Sequence, residues 1–279
     1  KQKKMNPASL RKLIFAKIPE GSVIPRHTDK EHLYEIVPCG GKIFKSVTTR
    51  LQILKDESLI TYKMNRALDY IFANYPKFTD ENIMEHLDVA SKQSGFILED
   101  AGDIGTAIHN YREAYFGDWI KNKKRPESVL SYIPEYQTDI RATSGMRALE
   151  KFVTENNYAP VACELKVWDE KFEVAGTLDD VGVMNGEMVL MDLKTSNQFK
   201  NHYFFQVALY YMMFRKLTEL KPKRCFILKV SKDDGTYKIE ELYNISKLVR
   251  YAKSMLRTNE GLDFIRTVRK DNQKKVMAI

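Results

Sequence analysis

Apolar and polar residues alternate most regularly between Val161 and Lys194. Val161, Cys163, Leu165 and Val167 interleave with Ala162, Glu164, Lys166 and Trp168, the period-two pattern of a half-buried strand. Two further apolar runs meet at Asn185-Gly186, a pair suited to a type I′ turn because both central residues need positive φ. With that pair as the loop, Met184 faces Glu187, Asp179 faces Asp192, and Thr177 faces Lys194. If Asp169-Glu170 is a second two-residue turn, Glu164 faces Ala175 and shares a face with Thr177 and Asp179. Glu164, Asp179, Asp192 and Lys194 then project from one side of a three-stranded meander.

Around this meander the helical period dominates. A short helix is predicted over Ala8–Lys17. A hairpin follows over Leu33–Lys45 around Pro38-Cys39-Gly40-Gly41, and a helix capped by Ser46 runs to Leu54. Leu59–Asn74 and Thr79–Lys92 read as two further helices, and Gly95 is expected to separate the second from a longer one over Phe96–Ile120. Within that longer helix stands Gly105-Thr106-Ala107-Ile108-His109, with Glu113 one turn on. A mid-helix glycine costs about 1 kcal/mol relative to alanine, so Gly105 implies a close backbone approach. Pro134 opens a helix to Glu155 with an expected break at Ser144-Gly145. A helix over Phe199–Leu217 places Tyr203, Gln206 and Tyr210 on one face. Arg224–Val230 and Tyr237–Tyr243 read as strands. A basic helix over Ser246–Arg269 is expected to close the chain, with Lys270–Ile279 frayed.

Net charge is +8 over 279 residues, and it is unevenly spread. From Lys221 onward 15 Lys/Arg stand against 7 Asp/Glu, so the preceding 220 residues are neutral. Such a basic end is the footprint of a polyanion binder, although a solvated helix face would read the same. No apolar run approaches the roughly 18–20 residues of a membrane span. The opening Lys1-Gln2-Lys3-Lys4-Met5 has no apolar stretch behind it, so no signal peptide is expected, and the lack of Met at position 1 suggests a trimmed terminus. Cys39, Cys163 and Cys225 are too scattered for a zinc site or a disulfide framework. An intracellular protein without membrane attachment is expected.

Opposed carboxylates on adjacent strands repel and call for a counter-charge. Two aspartates, a glutamate and a lysine on one face suit a divalent cation with a water beside it, and hard oxygen ligands select Mg²⁺ or Mn²⁺. Lys194 can orient or deprotonate that water, or neutralise charge on a phosphate. Asp180, one residue off the face, is expected to meet solvent.

Gly176-Thr177-Leu178-Asp179 with Asp192-Leu193-Lys194-Thr195 resembles the PD-(D/E)xK nuclease superfamily. The order Gly105-Thr106-x-x-His109, these two segments, then Gln206-x-x-x-Tyr210 is similar to its RecB-type exonuclease branch. Phe44-Lys45-Ser46-Val47-Thr48-Thr49 is similar, more loosely, to phage exonucleases and the mitochondrial genome maintenance exonuclease. Leu178 stands where the superfamily's proline would be, and this branch commonly lacks it. Three scattered cysteines argue against the iron–sulfur cluster of some relatives.

The resemblance implies an α/β, restriction-endonuclease-like core, with a central mixed sheet of about five strands flanked by helices and a mostly helical N-terminal subdomain. The division expected is residues 1–94 as hairpin and helical subdomain, an arch or lid, and residues 95–279 as nuclease core. Asp179, Asp192, the Leu193 carbonyl and His109 would hold one or two Mg²⁺ or Mn²⁺ ions. Lys194 would be catalytic, Glu164 would sit in or just outside the metal's coordination, and Gln206 and Tyr210 would brace the site or touch the substrate. Ser46, Thr48 and Thr195 are expected to bind substrate. The expected activity is a DNA exonuclease acting on single strands or free ends in replication, recombination or repair. A structure-specific endonuclease on the same core, or an inactive nucleic-acid-binding module, are the alternatives.

Overall fold

A computed structural model of the chain describes residues 5–28, 31–54, 58–196 and 198–277, without the side chains of 53, 58–60, 263, 264 and 266–277. Its elements are α1 (Pro7–Lys17), β1 (Val23–Pro25), β2 (Leu33–Ile36), β3 (Lys42–Ser46), α2 (Val47–Arg50), α3 (Ser58–Asn74) and α4 (Ile83–Asn122). Then come α5 (Ile140–Glu155), β4 (Tyr158–Asp169), β5 (Val174–Met184), β6 (Glu187–Lys194), α6 (Asn201–Thr218), β7 (Arg224–Val230), β8 (Tyr237–Glu241) and α7 (Ile245–Met277). The fold is a mixed sheet flanked by helices. No described helix is long and apolar enough to cross a membrane.

Among the described residues the sheet has eight strands rather than about five. β5 explains the difference. It is longer than β6, which pairs with it only over Asp180–Met184, so the start of β5 has an edge to spare. There β3 joins in parallel, Lys45 beside Val174 and Ser46 beside Ala175, and brings β1 and β2 into the same sheet. β4 lies along the other edge of β5, and β7 and β8 extend the sheet beyond β6.

Strand alternation sends side chains into two separate cores. From β6 and β7, Val189, Met191, Leu193, Phe226 and Leu228 pack with α4 and α5. Met188, Leu190, Cys225 and Ile227 point to the opposite face, against α1, α6 and α7. Residues of both parities are therefore apolar on β6 and β7, as expected of central strands covered on both sides.

Several local expectations differ from the structure. Helix α4 runs unbroken through Gly95, so two predicted helices are one of 40 residues. α5 begins at Asp139, whose carboxylate accepts from the Arg141 N–H, rather than at Pro134. It passes through Gly145 without a break. A Cβ there would lie 2.5 Å from Ile108 Cδ1, so the glycine serves helix–helix contact. The backbone of α7 is helical through Met277 rather than frayed from Lys270, while Ala278 and Ile279 lie outside the described residues. α2 ends at Arg50 and a 3₁₀ turn completes the stretch to Leu54.

Candidate active site

The β5–β6 turn follows the sequence expectation: Asn185 and Gly186 take φ of 51° and 87°, and Met184 pairs with Glu187. The ladder continues to Asp180 opposite Met191 and ends there. One residue further, Asp179 stands at the position facing Asp192, but its side chain has replaced the ladder. Asp179 Oδ2 accepts the Leu193 N–H at 2.7 Å. Thr177, expected opposite Lys194, instead pairs with Lys166 and its hydroxyl meets Tyr34 Oη at 3.2 Å.

The β4–β5 connection is longer than expected. Asp169 Oδ1 accepts from the Phe172 N–H, Glu173 takes φ of 45°, and Asp169 pairs with Val174. Trp168 accordingly pairs with Ala175, and Glu164 is no longer opposite Ala175. It comes level with Asp179, between the pairs Cys163–Asp180 and Leu165–Leu178. The shift is an even number of residues, so the predicted face survives. Glu164 itself has φ of 50°, a left-handed conformation uncommon for a non-glycine residue and found where a site over-determines the backbone.

Helix α4 supplies the rest. Gly105, His109 and Arg112 lie at i, i+4 and i+7 on its inward face. A Cβ at Gly105 would come within 2.7 Å of Thr195 Oγ1, so the glycine lets α4 approach the end of β6. One turn later His109 Nδ1 is 3.9 Å from Asp179 Oδ2. Ligand atoms of His109, Glu164 and Asp179 all lie within 4.8 Å of one another. Asp192 stands beside this trio rather than in it, its Oδ2 2.6 Å from Lys194 Nζ. Buried Asp192 Oδ1 has no hydrogen-bond partner among the described residues.

Two residues behave unlike their sequence reading. Asp180 is fully buried rather than solvent-facing, and its partner is Arg112, also fully buried. The Arg112 guanidinium forks between the Asp180 and Glu164 carboxylates. Glu113, singled out in the sequence, is exposed. Arg112 carries one signal in the sequence, its i+3 spacing from His109, and a lone arginine in a polar helical stretch otherwise reads as a solvated face.

Electrostatics follow from this burial. Burial lowers the His109 pKa to about 4, keeping the imidazole neutral and able to ligate a metal. Burial, with Asp179 adding repulsion, raises Glu164 to about 7. Burial likewise raises Asp192 to about 6 despite Lys194. Asp179 moves the other way: burial opposes its charge, but His109, Arg112, Lys194 and the Leu193 N–H together outweigh it. Burial disfavours the Lys194 ammonium, yet Asp192 and Asp179 hold its pKa above the ordinary lysine value. Lys194 is therefore a cation, with the Tyr203 ring 5.0 Å away.

One imidazole, clustered carboxylates and a buried carboxylate oxygen with no donor form a hard donor set that fits a divalent ion such as Mg²⁺ or Mn²⁺. The other expected site residues surround it. Gln206 and Tyr210 are buried, Gln206 Nε2 donating to Tyr210 Oη at 3.1 Å. The Tyr210 ring occupies the space a Cβ at Gly176 would need, 2.7 Å away. Ser46 is buried as the cap of α2, accepting the Thr49 N–H at 3.0 Å, and its Oγ is 2.8 Å from the hydroxyl of exposed Thr48. Thr195 is half-buried against Gly105.

Solved structures that resemble the chain include a candidate exonuclease from Eubacterium rectale, with 16% identity, a TM-score of 0.39, and coverage of 61% of this chain and 68% of that one. An alkaline exonuclease from Laribacter hongkongensis shows 13% identity, a TM-score of 0.34, and coverage of 58% and 86%. No curated protein matches the chain. The match that carries weight is to a family: residues 85–273, which hold all but the first two residues of α4 and all of β4 to β8, fit the PD-(D/E)XK nuclease superfamily. The protein belongs to the PD-(D/E)XK nuclease superfamily.

Proposed function

We propose that this nuclease is a Mg²⁺- or Mn²⁺-dependent DNA exonuclease acting on single strands or free ends, in replication, recombination or repair. The observation that carries the reading is the convergence of His109, Glu164 and Asp179 within 4.8 Å, beside Asp192 and Lys194. Asp179, His109, Asp192 and the Leu193 carbonyl would hold the ion, with Glu164 alongside. A bound divalent ion supplies charge neutralisation at the phosphate and a water of lowered pKa.

The chain's own groups do the remainder. The Lys194 ammonium donates to the phosphate or the attacking water; as a cation it stabilises developing negative charge rather than accepting a proton. Arg112 holds the Glu164 carboxylate in place. Gln206 and Tyr210 brace β5 from α6. Thr48 and Thr195 offer hydroxyls to the substrate, with Ser46 setting the turn that presents Thr48. Within residues 1–94 we assign the part of an arch or lid to α3 and the start of α4 alone, since α1 and β1–β3 belong to the core.

The test is a panel of 5′- and 3′-labelled linear strands, duplexes and a closed single-stranded circle, each with Mg²⁺, Mn²⁺ and chelator. Metal-dependent loss of label from linear strands alone supports the reading. Equal cutting of the circle replaces it with an endonuclease, and tight binding without cutting under any metal replaces it with a binding module.

A further inference from the structure

β4 is the edge strand of the core, paired only with β5, and its free edge faces α1. Arg11 ties the two together, donating from Nη1 to the Val161 carbonyl at 2.9 Å, with its guanidinium 4.2 Å over the Phe15 ring. On either side of this tie lie cavities of about 280 and about 1370 Å³. They adjoin at the shared residues Arg11, Phe15, Glu20 and Cys163, and are taken together as one cleft that the Arg11 side chain crosses. Its inner end is lined by Glu164, a member of the metal-binding trio. Its outer end is lined by Trp119, Lys121 and Lys123 at the end of α4.

We propose that this cleft is a binding track for the single-stranded DNA segment contiguous with the scissile phosphate. The proposal rests on the nuclease reading above and adds where the strand runs. Its walls combine the two features that hold unpaired strands without sequence preference, cations for the backbone and aromatic rings for bases. Arg11, Lys12, Lys121, Lys123 and Lys166 supply the cations, and the rings are Phe15, one face of which Arg11 covers, and Trp119, which packs edge-on against Tyr115 and Phe116. Outside the metal cluster the walls carry three carboxylates, Glu20, Glu113 and Asp118, so the balance is positive. Asp118 is already engaged, accepting from Tyr132 Oη at 2.9 Å. A strand leaving the metal trio past Glu164 meets Arg11 and Phe15 first, then the lysines of α1 and α4.

The experiment compares binding of oligothymidylates of about three and about twelve nucleotides in Ca²⁺, for the full chain and for Lys12→Glu/Lys121→Glu. Both lysines are exposed, so charge reversal leaves packing intact. The unsubstituted protein is expected to favour the longer strand. The double variant should lose about tenfold of that preference, and its slope of log affinity against log salt should shrink by about two. An unchanged length preference and salt slope in a variant of a protein that degrades single strands with Mn²⁺ overturns the cleft alone. Failure of the unsubstituted protein to bind or degrade either strand overturns the single-strand reading of the proposed function and the cleft with it.

Discussion

Gly105 and Thr195 touch where helix α4 crosses the end of β6, with no room for a Cβ between them. Two opposing effects then separate in Gly105→Ala. Alanine gains about 1 kcal/mol of helix propensity, so thermal stability should stay level or rise. The added methyl meets Thr195 Oγ1 at 2.7 Å, so Thr195 or α4 must shift, and His109 is one turn away. Metal-dependent cleavage is expected to fall by about tenfold or more with no loss of melting temperature. Thr195→Ala removes the clashing hydroxyl, so the double variant should recover part of the rate relative to Gly105→Ala. A fall in stability matching the fall in activity would refute this account.

Asp192 and Lys194 support each other at 2.6 Å. Lys194→Met leaves a buried carboxylate without its counter-charge and should slow cleavage by about 10²–10³-fold while sparing DNA binding. It also has a pH signature. Asp192 is already raised to about 6, and loss of the cation raises it further above its unfolded value. An acid raised in the folded state costs no stability while both states are protonated, and costs progressively more as pH rises towards its folded pKa. Denaturant unfolding of Lys194→Met should therefore approach the unsubstituted protein near pH 4 and fall behind it near pH 8. A constant deficit across that range would count against the pairing.

Metal affinity should itself depend on pH. Glu164 and Asp192 titrate at about 7 and about 6, and ligation requires their deprotonated forms. His109, at about 4, is already neutral over this range and adds nothing. Calorimetric titration with Mn²⁺ should show affinity rising from pH 5.5 to 7.5 by about tenfold or more, with proton release that shrinks as pH rises. Affinity independent of pH would exclude Glu164 and Asp192 from the metal's surroundings.

Arg112 forks between two carboxylates in full burial, so Arg112→Leu should be among the most destabilising single changes in the chain. Breaking a buried ion pair from one side costs about 3–5 kcal/mol, since the remaining charges lose their partner. Asp180→Asn removes one of those charges and keeps the shape, so its cost should be markedly smaller. Urea unfolding of the two variants decides the order, and equal losses would contradict the forked arrangement.

The sequence was most informative where local rules and tertiary structure agree. Asn185-Gly186 set the β5–β6 register without outside help, and Gly105 announced a close contact through its helix cost alone. The β4–β5 register was misjudged because the deciding event is a side chain: Asp169 caps the Phe172 N–H and stretches the loop. Gly95 did not break α4: its cost of about 1 kcal/mol is spread over a helix of 40 residues, and it stands in an exposed stretch where no packing demands a turn. Asp180 and Arg112 were illegible singly. A charged residue in isolation reads as surface, and only the folded chain brings the two together.

Helix α4 rises about 60 Å over its 40 residues. Exposed Met84 and Leu87 sit at its first turns, His109 two-thirds of the way along, and Lys121 in its last turn. These stations share one rod with no joint between them. On the proposed reading, a strand held at the tip or along the far end would load the same beam that carries the imidazole, so grip on the polymer and the placing of His109 would be mechanically linked.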